Sequence, residues 1–201
     1  MINRELYMEQ ITPFIDKPFV KVITGIRRCG KSVVLRLIRE ELLRRGVSED
    51  YIIYMNFESF EWIDMKEAKA LYAHIREATK ASGKYYILLD EIQEVTDWEK
   101  AVNAFLVDLD VDIYVTGSNS RLLSSEFSTY LAGRYVAFHI MTLSFREYLL
   151  FHDLPLTISV SDRKTEFLKY RRMGGFPAIH TANYDYNAIY KIVYDIYSSV
   201  I

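Results

Sequence analysis

The sequence predicts an α/β fold, a parallel sheet covered by helices on both faces and followed by a small helical region. Three observations carry this. Short β-branched, apolar runs alternate with stretches of helical period, which is the signature of a parallel sheet with crossover helices. One run, Tyr-Tyr-Ile-Leu-Leu-Asp90, is apolar almost throughout, as a strand buried on both faces must be. The first run, Val-Lys-Val-Ile-Thr24, passes through Gly-Ile-Arg-Arg-Cys-Gly-Lys-Ser32 straight into Val33 and further apolar residues at helical spacing.

The elements follow in order. Residues 3–15 read as an amphipathic helix ended at or just after Pro13. Strand 20–24 leads into a helix that runs to Arg45 and stops at Gly46, with arginines in its last turn. Residues 51–57 form a second strand, and Asp64 can cap a helix over 65–82 ended by Gly83. Strand 85–90 is third; Asp97 can cap a helix to about residue 109, and 111–116 is the fourth strand. Beyond Gly117 a short helix is expected over 120–127 and a fifth strand over 136–143, after a Gly-Arg turn. Ser144-Phe-Arg-Glu147 is a capping box opening a helix to about His152. A loop over 155–161, a basic helix over 162–173, a sharp Gly-Gly-Phe-Pro177 turn and a helix over 186–201 complete the chain. A final helix that runs to the last residue without a cap suggests the front part of a longer protein, or a helix that docks on a partner. The expected division is 1–153 for the α/β domain and 154–201 for the start of a C-terminal helical region, a lid or winged helix.

Composition narrows the classes. The 201 residues suit one domain, or one with a small appendage, and 50% hydrophobic residues supply a sizeable core. A net charge of −2 gives no global basic excess pointing to nucleic acid, although a local patch stays open. The single cysteine, Cys29, excludes an intrachain disulfide framework and fits a reducing compartment. It is either a redox-sensitive thiol or an ordinary occupant of a tolerant position, and the second reading is preferred. No window of 18 apolar residues occurs and the N-terminus lacks a signal-peptide core, so the expected location is cytoplasmic, away from membranes. The 16 tyrosines and 11 phenylalanines are scattered, as packing and surface residues are. The four histidines show no metal-ligand spacing.

The chemistry concentrates at the ends of strands. Gly-x-x-x-x-Gly-Lys-Ser between a strand and a helix is a phosphate-binding P-loop, here spanning Gly25, Ile26, Arg27, Arg28, Cys29, Gly30, Lys31 and Ser32 and running on into Val33. Gly25 and Gly30 let the backbone curl so that N–H groups face a polyphosphate, and the helix dipole points the same way. Lys31 can lie between β- and γ-phosphates, and the Ser32 hydroxyl can ligate Mg²⁺. Asp90 and Glu91 end the third strand: Asp90 suits Mg²⁺ through water, and Glu91 suits polarising the attacking water, with Gln93 a weaker candidate. At the tip of the fourth strand, which should lie between the first and third, Ser118 and then Asn119 can sense a γ-phosphate or simply cap the next helix. Arg134, on a glycine turn, can reach the phosphates of its own or a neighbouring subunit, or serve as a surface residue; Arg121 is a weaker alternative. Arg27 and Arg28 can lie on phosphate or face a partner. The run Arg163, Lys164, Lys169, Arg171 and Arg172 reads chiefly as a solvated face.

Taken together, Thr-Gly-Ile-Arg-Arg-Cys-Gly-Lys-Ser32, Tyr-Met-Asn-Phe-Glu58, Ile-Leu-Leu-Asp-Glu-Ile-Gln93, Thr-Gly-Ser-Asn-Ser120, Leu-Ala-Gly-Arg134 and Leu-Ser-Phe-Arg-Glu-Tyr148 resemble the AAA-superfamily P-loop ATPases of archaea and bacteria. The resemblance runs from about residue 5 to the end. It implies a P-loop NTPase of the additional-strand type with strand order 5-1-4-3-2, ATP and Mg²⁺ as ligands, and Glu91 as the catalytic carboxylate. Relatives of this kind continue into a winged-helix region and a nuclease-like module. Cys29 and Ser32 depart from the commoner Val or Ser and Thr, without endangering metal ligation. The leading expectation is Mg-dependent ATP hydrolysis coupled to a conformational change. The competing one is a nucleotide-controlled switch with negligible turnover, acting with a protein partner, with DNA or as a homo-oligomer. A small-molecule kinase is disfavoured, because it needs no water-activating glutamate.

Overall fold

The computed structural model describes residues 3–118, 122, 130–181 and 184–198. The chain divides into two compact units: one of Glu5–Gly25 with Lys31–His139, the other of the chain up to Arg4, Ile26–Gly30 and the chain from Ile140 onward.

The first unit holds the sheet. Strands β1 (Val20–Thr24), β2 (Ile52–Asn56), β3 (Tyr85–Asp90), β4 (Val111–Gly117) and β5 (Tyr135–His139) are all parallel, in the order β2-β3-β4-β1-β5. This is the predicted 5-1-4-3-2 order read from the other edge. Helices α1 (Glu5–Ile11) and α2 (Lys31–Arg44) pack together, and α2 also packs on β3 and β4. Helices α3 (Ala68–Ala78) and α4 (Trp98–Asp108) belong to the main core. That core takes alternate strand residues, Val20 and Val22, Ile87 and Leu89, Ile113 and Val115, against Leu71 and Ile75 of α3 and Val102 and Phe105 of α4. The two-residue period of a strand gives one residue to each face, so helix cover on both faces buries all six residues of β3.

A buried lysine lies within β1. Lys21 is fully buried; its ammonium pairs with Asp112 and donates to the Lys17 carbonyl at 2.9 Å, while the Tyr114 hydroxyl donates to Asp112 at 2.8 Å. Burial lowers the Lys21 pKa against the opposing pull of Asp112. The site lies in the half of the sheet away from the carboxyl ends of the strands.

Expected boundaries move at three elements, and one cap forms differently. The fifth strand runs over Tyr135–His139 and not on to residue 143. The N-terminal helix closes at Ile11 into a 3₁₀ turn, Thr12–Phe14, with Pro13 inside it. The helix expected from residue 65 starts at Ala68. Residues Phe60–Met65 form a 3₁₀ segment capped by Ser59, and Lys66 and Ala68 exchange backbone hydrogen bonds with Thr96, which holds this stretch extended. Asp97 occupies the N-cap position of α4 in a left-handed conformation (φ 57°), and its carboxylate accepts from Lys100 at 2.9 Å rather than from the helix backbone. The helix expected over 120–127 lies outside the described residues apart from Leu122.

The second unit is helical: α5 (Phe145–Phe151), α6 (Val160–Met173) and α7 (Tyr186–Ser198). Both hydrogen bonds of the Ser144–Glu147 capping box are formed at the start of α5. Phe145 and Tyr148 of α5 pack edge-on or tilted against Phe167 and Tyr170 of α6 at centroid distances of 5.1 to 5.6 Å, an aromatic core for the unit. Ser159 caps α6, accepting from the Asp162 amide at 3.1 Å. Among the described residues no helix is long and apolar enough to cross a membrane.

Candidate nucleotide-binding site

In the first unit, parallel register brings the carboxyl ends of three strands together. Thr24 lies beside Gly117, and Leu89 beside Val115, which sets Asp90 next to Thr116. Ligands gather at this edge of such sheets. Gly25 leaves β1 with φ 153°, a conformation that side chains other than glycine's disfavour. Lys31 opens α2 with only 4% of its surface exposed. Its ammonium donates to the Gly25 carbonyl at 3.4 Å and lies 3.4 Å from Glu91 Oε1. Ser32 and Val33 follow in the first turn of α2, both half-buried.

The end of β3 is tied to both neighbouring strands. Asp90 is fully buried; its Oδ1 accepts from the Thr116 hydroxyl of β4 at 2.5 Å and its Oδ2 from the Tyr54 hydroxyl of β2 at 3.0 Å. Burial, reinforced by the Asp90 charge, pushes the Tyr54 phenol well above its ordinary range, so it stays a donor. Glu91 then turns into the left-handed region (φ 54°, ψ 48°), and its N–H donates to Thr116 Oγ1 at 2.9 Å. A non-glycine residue held there is strained, and here both flanking groups hold it. The Gln93 amide donates to Glu91 Oε2, while Gln93 Oε1 is buried without a hydrogen-bond partner among the described residues.

Thr116 is the residue that sequence reasoning passed over. It accepts from one member of the Asp90–Glu91 pair and donates to the other. The available signal was a hydroxyl residue ending a strand expected to lie beside the acidic one. Ser118, two residues further on, is half-buried, and its carbonyl accepts from the Leu122 amide at 3.0 Å. Asn119 and Arg121 lie outside the described residues.

The loop Ile26–Gly30 groups with the second unit. Ile26, Arg27 and Arg28 are exposed, and Arg28 takes φ 65°. Cys29 is buried, and its N–H closes a turn onto the Ile26 carbonyl at 3.3 Å. Gly30 has φ 105°, and a Cβ there would stand 3.2 Å from Arg4 Nη1.

Arg134 lies elsewhere. Its carbonyl accepts from the Val20 amide at 2.9 Å, at the amino end of β1, and its Nη1 donates to Asn103 Oδ1 of α4 at 2.9 Å. The length of β1 separates it from Gly25, about 16 Å at roughly 3.3 Å per residue, beyond the reach of an arginine side chain. Within its own chain Arg134 thus stands about a strand length from Gly25, a placement that fits service to a neighbouring subunit or a purely structural role better than service to its own phosphates.

Residues 17–149 match the AAA domain family. The chain belongs to that family. This AAA domain is similar to an uncharacterized protein of Haemophilus influenzae, 43% identical over 184 residues that cover 91% of this chain and 46% of that protein. It is similar also to one of Methanocaldococcus jannaschii, 34% identical over 184 residues, covering 89% of this chain and 39% of that protein. The chain thus spans less than half the length of these relatives. Among solved structures it resembles the RuvB Holliday junction branch migration motor of Thermotoga maritima (TM-score 0.52, 17% identity, 87% of this chain and 56% of that one). It also resembles AMPPCP-bound DnaA of Aquifex aeolicus (TM-score 0.50, 16% identity, 85% and 62%). At such identities the likeness is one of fold, and the fold is that of AAA-superfamily P-loop ATPases.

Proposed function

We propose that this AAA domain binds ATP with Mg²⁺ and hydrolyses it, and that the cycle changes its conformation. The observation that carries the reading is the Lys31 ammonium 3.4 Å from the Glu91 carboxylate at the strand edge, with Asp90 beside it. Gly25 to Val33 supply the phosphate cradle. Ser32 and Asp90 offer only hard oxygen donors, which suits Mg²⁺, and the metal would supply charge neutralisation on the phosphates. Lys31 exchanges its carboxylate partner for phosphate oxygens. Glu91, released from that ion pair, accepts hydrogen bonding from the attacking water and takes its proton. Ser118 would report on a γ-phosphate as a neutral donor. Arg134, at the opposite edge of the sheet, suits the phosphates of a second copy of the chain.

A second reading, a switch with negligible turnover, draws support from one feature: both Glu91 oxygens are engaged, Oε1 by Lys31 and Oε2 by Gln93. Calorimetry with ATP together with steady-state phosphate release, with and without added DNA, separates the readings. Binding with release supports hydrolysis; binding without release supports the switch; no binding overturns both. Stimulation by DNA would bring in the exposed basic residues of α6 and the kind of partner that RuvB's name carries.

A further inference from the structure

The geometry points to Arg4 as a positioning residue for the P-loop, holding the Cys29–Gly30 peptide so that its N–H is presented to phosphate. Arg4 is 2% exposed although it carries a permanent charge. Its three nitrogens are spread over three chain segments: Nε to Glu147 Oε1 at 2.5 Å, Nη1 to the Cys29 carbonyl at 3.1 Å and Nη2 to the Met141 carbonyl at 2.8 Å. All four residues belong to one unit. A buried guanidinium is tolerated only where a countercharge and acceptors meet it, and Glu147 supplies the countercharge. Glu147 is itself fixed, since its other oxygen accepts from the amide of Ser144 at 2.8 Å and its hydroxyl at 2.9 Å in the α5 capping box.

The consequence for the loop is geometric. All described peptides are trans, and in a planar trans peptide the C=O and the following N–H point in opposite directions. Drawing the Cys29 carbonyl onto Arg4 therefore turns the Gly30 N–H away from Arg4. The close approach of Arg4 to Gly30, where a Cβ would lie 3.2 Å from Nη1, holds the same peptide from its side. Oriented N–H groups of this kind are how a P-loop grips phosphate. The carboxylate that caps α5 thus also sets, through Arg4, the aim of a loop amide more than a hundred residues earlier in the chain.

This rests on the P-loop reading, and the experiment keeps the two apart. ADP and AMP affinities are measured by calorimetry on the whole chain for the parent, Arg4→Lys, Arg4→Ala, Glu147→Gln and Lys31→Ala, each with its melting temperature. A lysine keeps the charge but cannot span three acceptors in a planar fork. Arg4→Lys should weaken ADP by about tenfold, the order set by one misdirected charge-assisted bond, and AMP much less. Glu147→Gln should shift the ADP-to-AMP ratio in the same direction, and it serves if Arg4→Ala fails to fold. A merely structural arginine would lower the melting temperature and leave that ratio at the parent value, which overturns the proposal. A parent that binds no ADP overturns the P-loop reading, and this one with it; loss in Lys31→Ala alone, with Arg4→Lys and Glu147→Gln unaffected, overturns this one only.

Discussion

Lys31 and Glu91 form an ion pair at the carboxyl edge of the sheet, Nζ to Oε1 3.4 Å, one from the first turn of α2 and the other from the residue that follows β3. The Lys31 ammonium is almost wholly buried, so on the proposed reading phosphate would compete with Glu91 for its charge.

Replacing Lys31 with alanine should abolish measurable ATP binding while the folded state persists, because alanine is the best helix former and the site is the helix start. Calorimetry on the variant checks this, and unchanged affinity would rule out the P-loop assignment.

Glu91→Gln should separate binding from turnover. The amide keeps the shape of the side chain but cannot take a proton and competes less for Lys31, so ATP affinity stays at or above the parent value while hydrolysis falls by ~10²-fold or more. Parental hydrolysis in this variant would move the base elsewhere, to Gln93's neighbourhood first.

Arg134 gives a mixing test. Because it sits at the amino end of β5, Arg134→Ala should bind ATP normally and hydrolyse slowly only if chains associate. Mixing it with Lys31→Ala protein should restore part of the activity, since the Lys31→Ala chains still lend an arginine. If Arg134 only ties the turn to Asn103, the variant loses thermal stability and keeps its activity per folded molecule.

Gly117→Ala should destabilise the first unit by about 1–3 kcal/mol through overpacking. The added Cβ would fall 2.0 Å from Gln93 Oε1 and 2.7 Å from Leu122 Cγ. Urea unfolding measures the loss; an unchanged midpoint would mean that Gln93 and Leu122 move aside freely.

Acid should weaken the second unit through His180. Its Nε2 lies 2.9 Å from the Gly174 carbonyl, which can only accept, so Nε2 carries the proton and Nδ1 accepts from His152 Nε2 at 3.1 Å. Burial, with the neighbouring His152, holds the His180 pKa below its ordinary value despite the Gly174 bond. The unfolded chain then binds more protons as pH falls, so stability present above about pH 6.5 declines below it, until the folded-state pKa is passed. Melting temperatures between pH 7.5 and 5.5 should fall in the parent and fall less in His180→Gln.

Much of this was legible in the sequence because it is local. Alternating periods placed the five strands and the helices between the first four of them, and Ser144-Phe-Arg-Glu147 marked its helix start to the residue. The start of α3 depended on a partner distant in sequence, Thr96, and not on Asp64. Asp97 failed for a local reason: its carboxylate pairs with Lys100 three residues on, in place of the helix backbone. Lys21 stands inside an apolar strand, and its countercharge, Asp112, comes from the neighbouring strand 91 residues on.

The sequence by itself determined the order of elements, the P-loop pattern and the position of the acidic pair at a strand end, because spacing along the chain encodes periodicity and turns. Only the tertiary structure decided which hydroxyl bridges Asp90 and Glu91, that Arg134 stands a full strand length from Gly25, and that Arg4 holds the Cys29 carbonyl. The Thr116 and Arg4 hydrogen bonds join residues 25 or more positions apart, and the Arg134 separation follows from strand register; sheet register and the need of a buried charge for a countercharge leave no mark on local spacing.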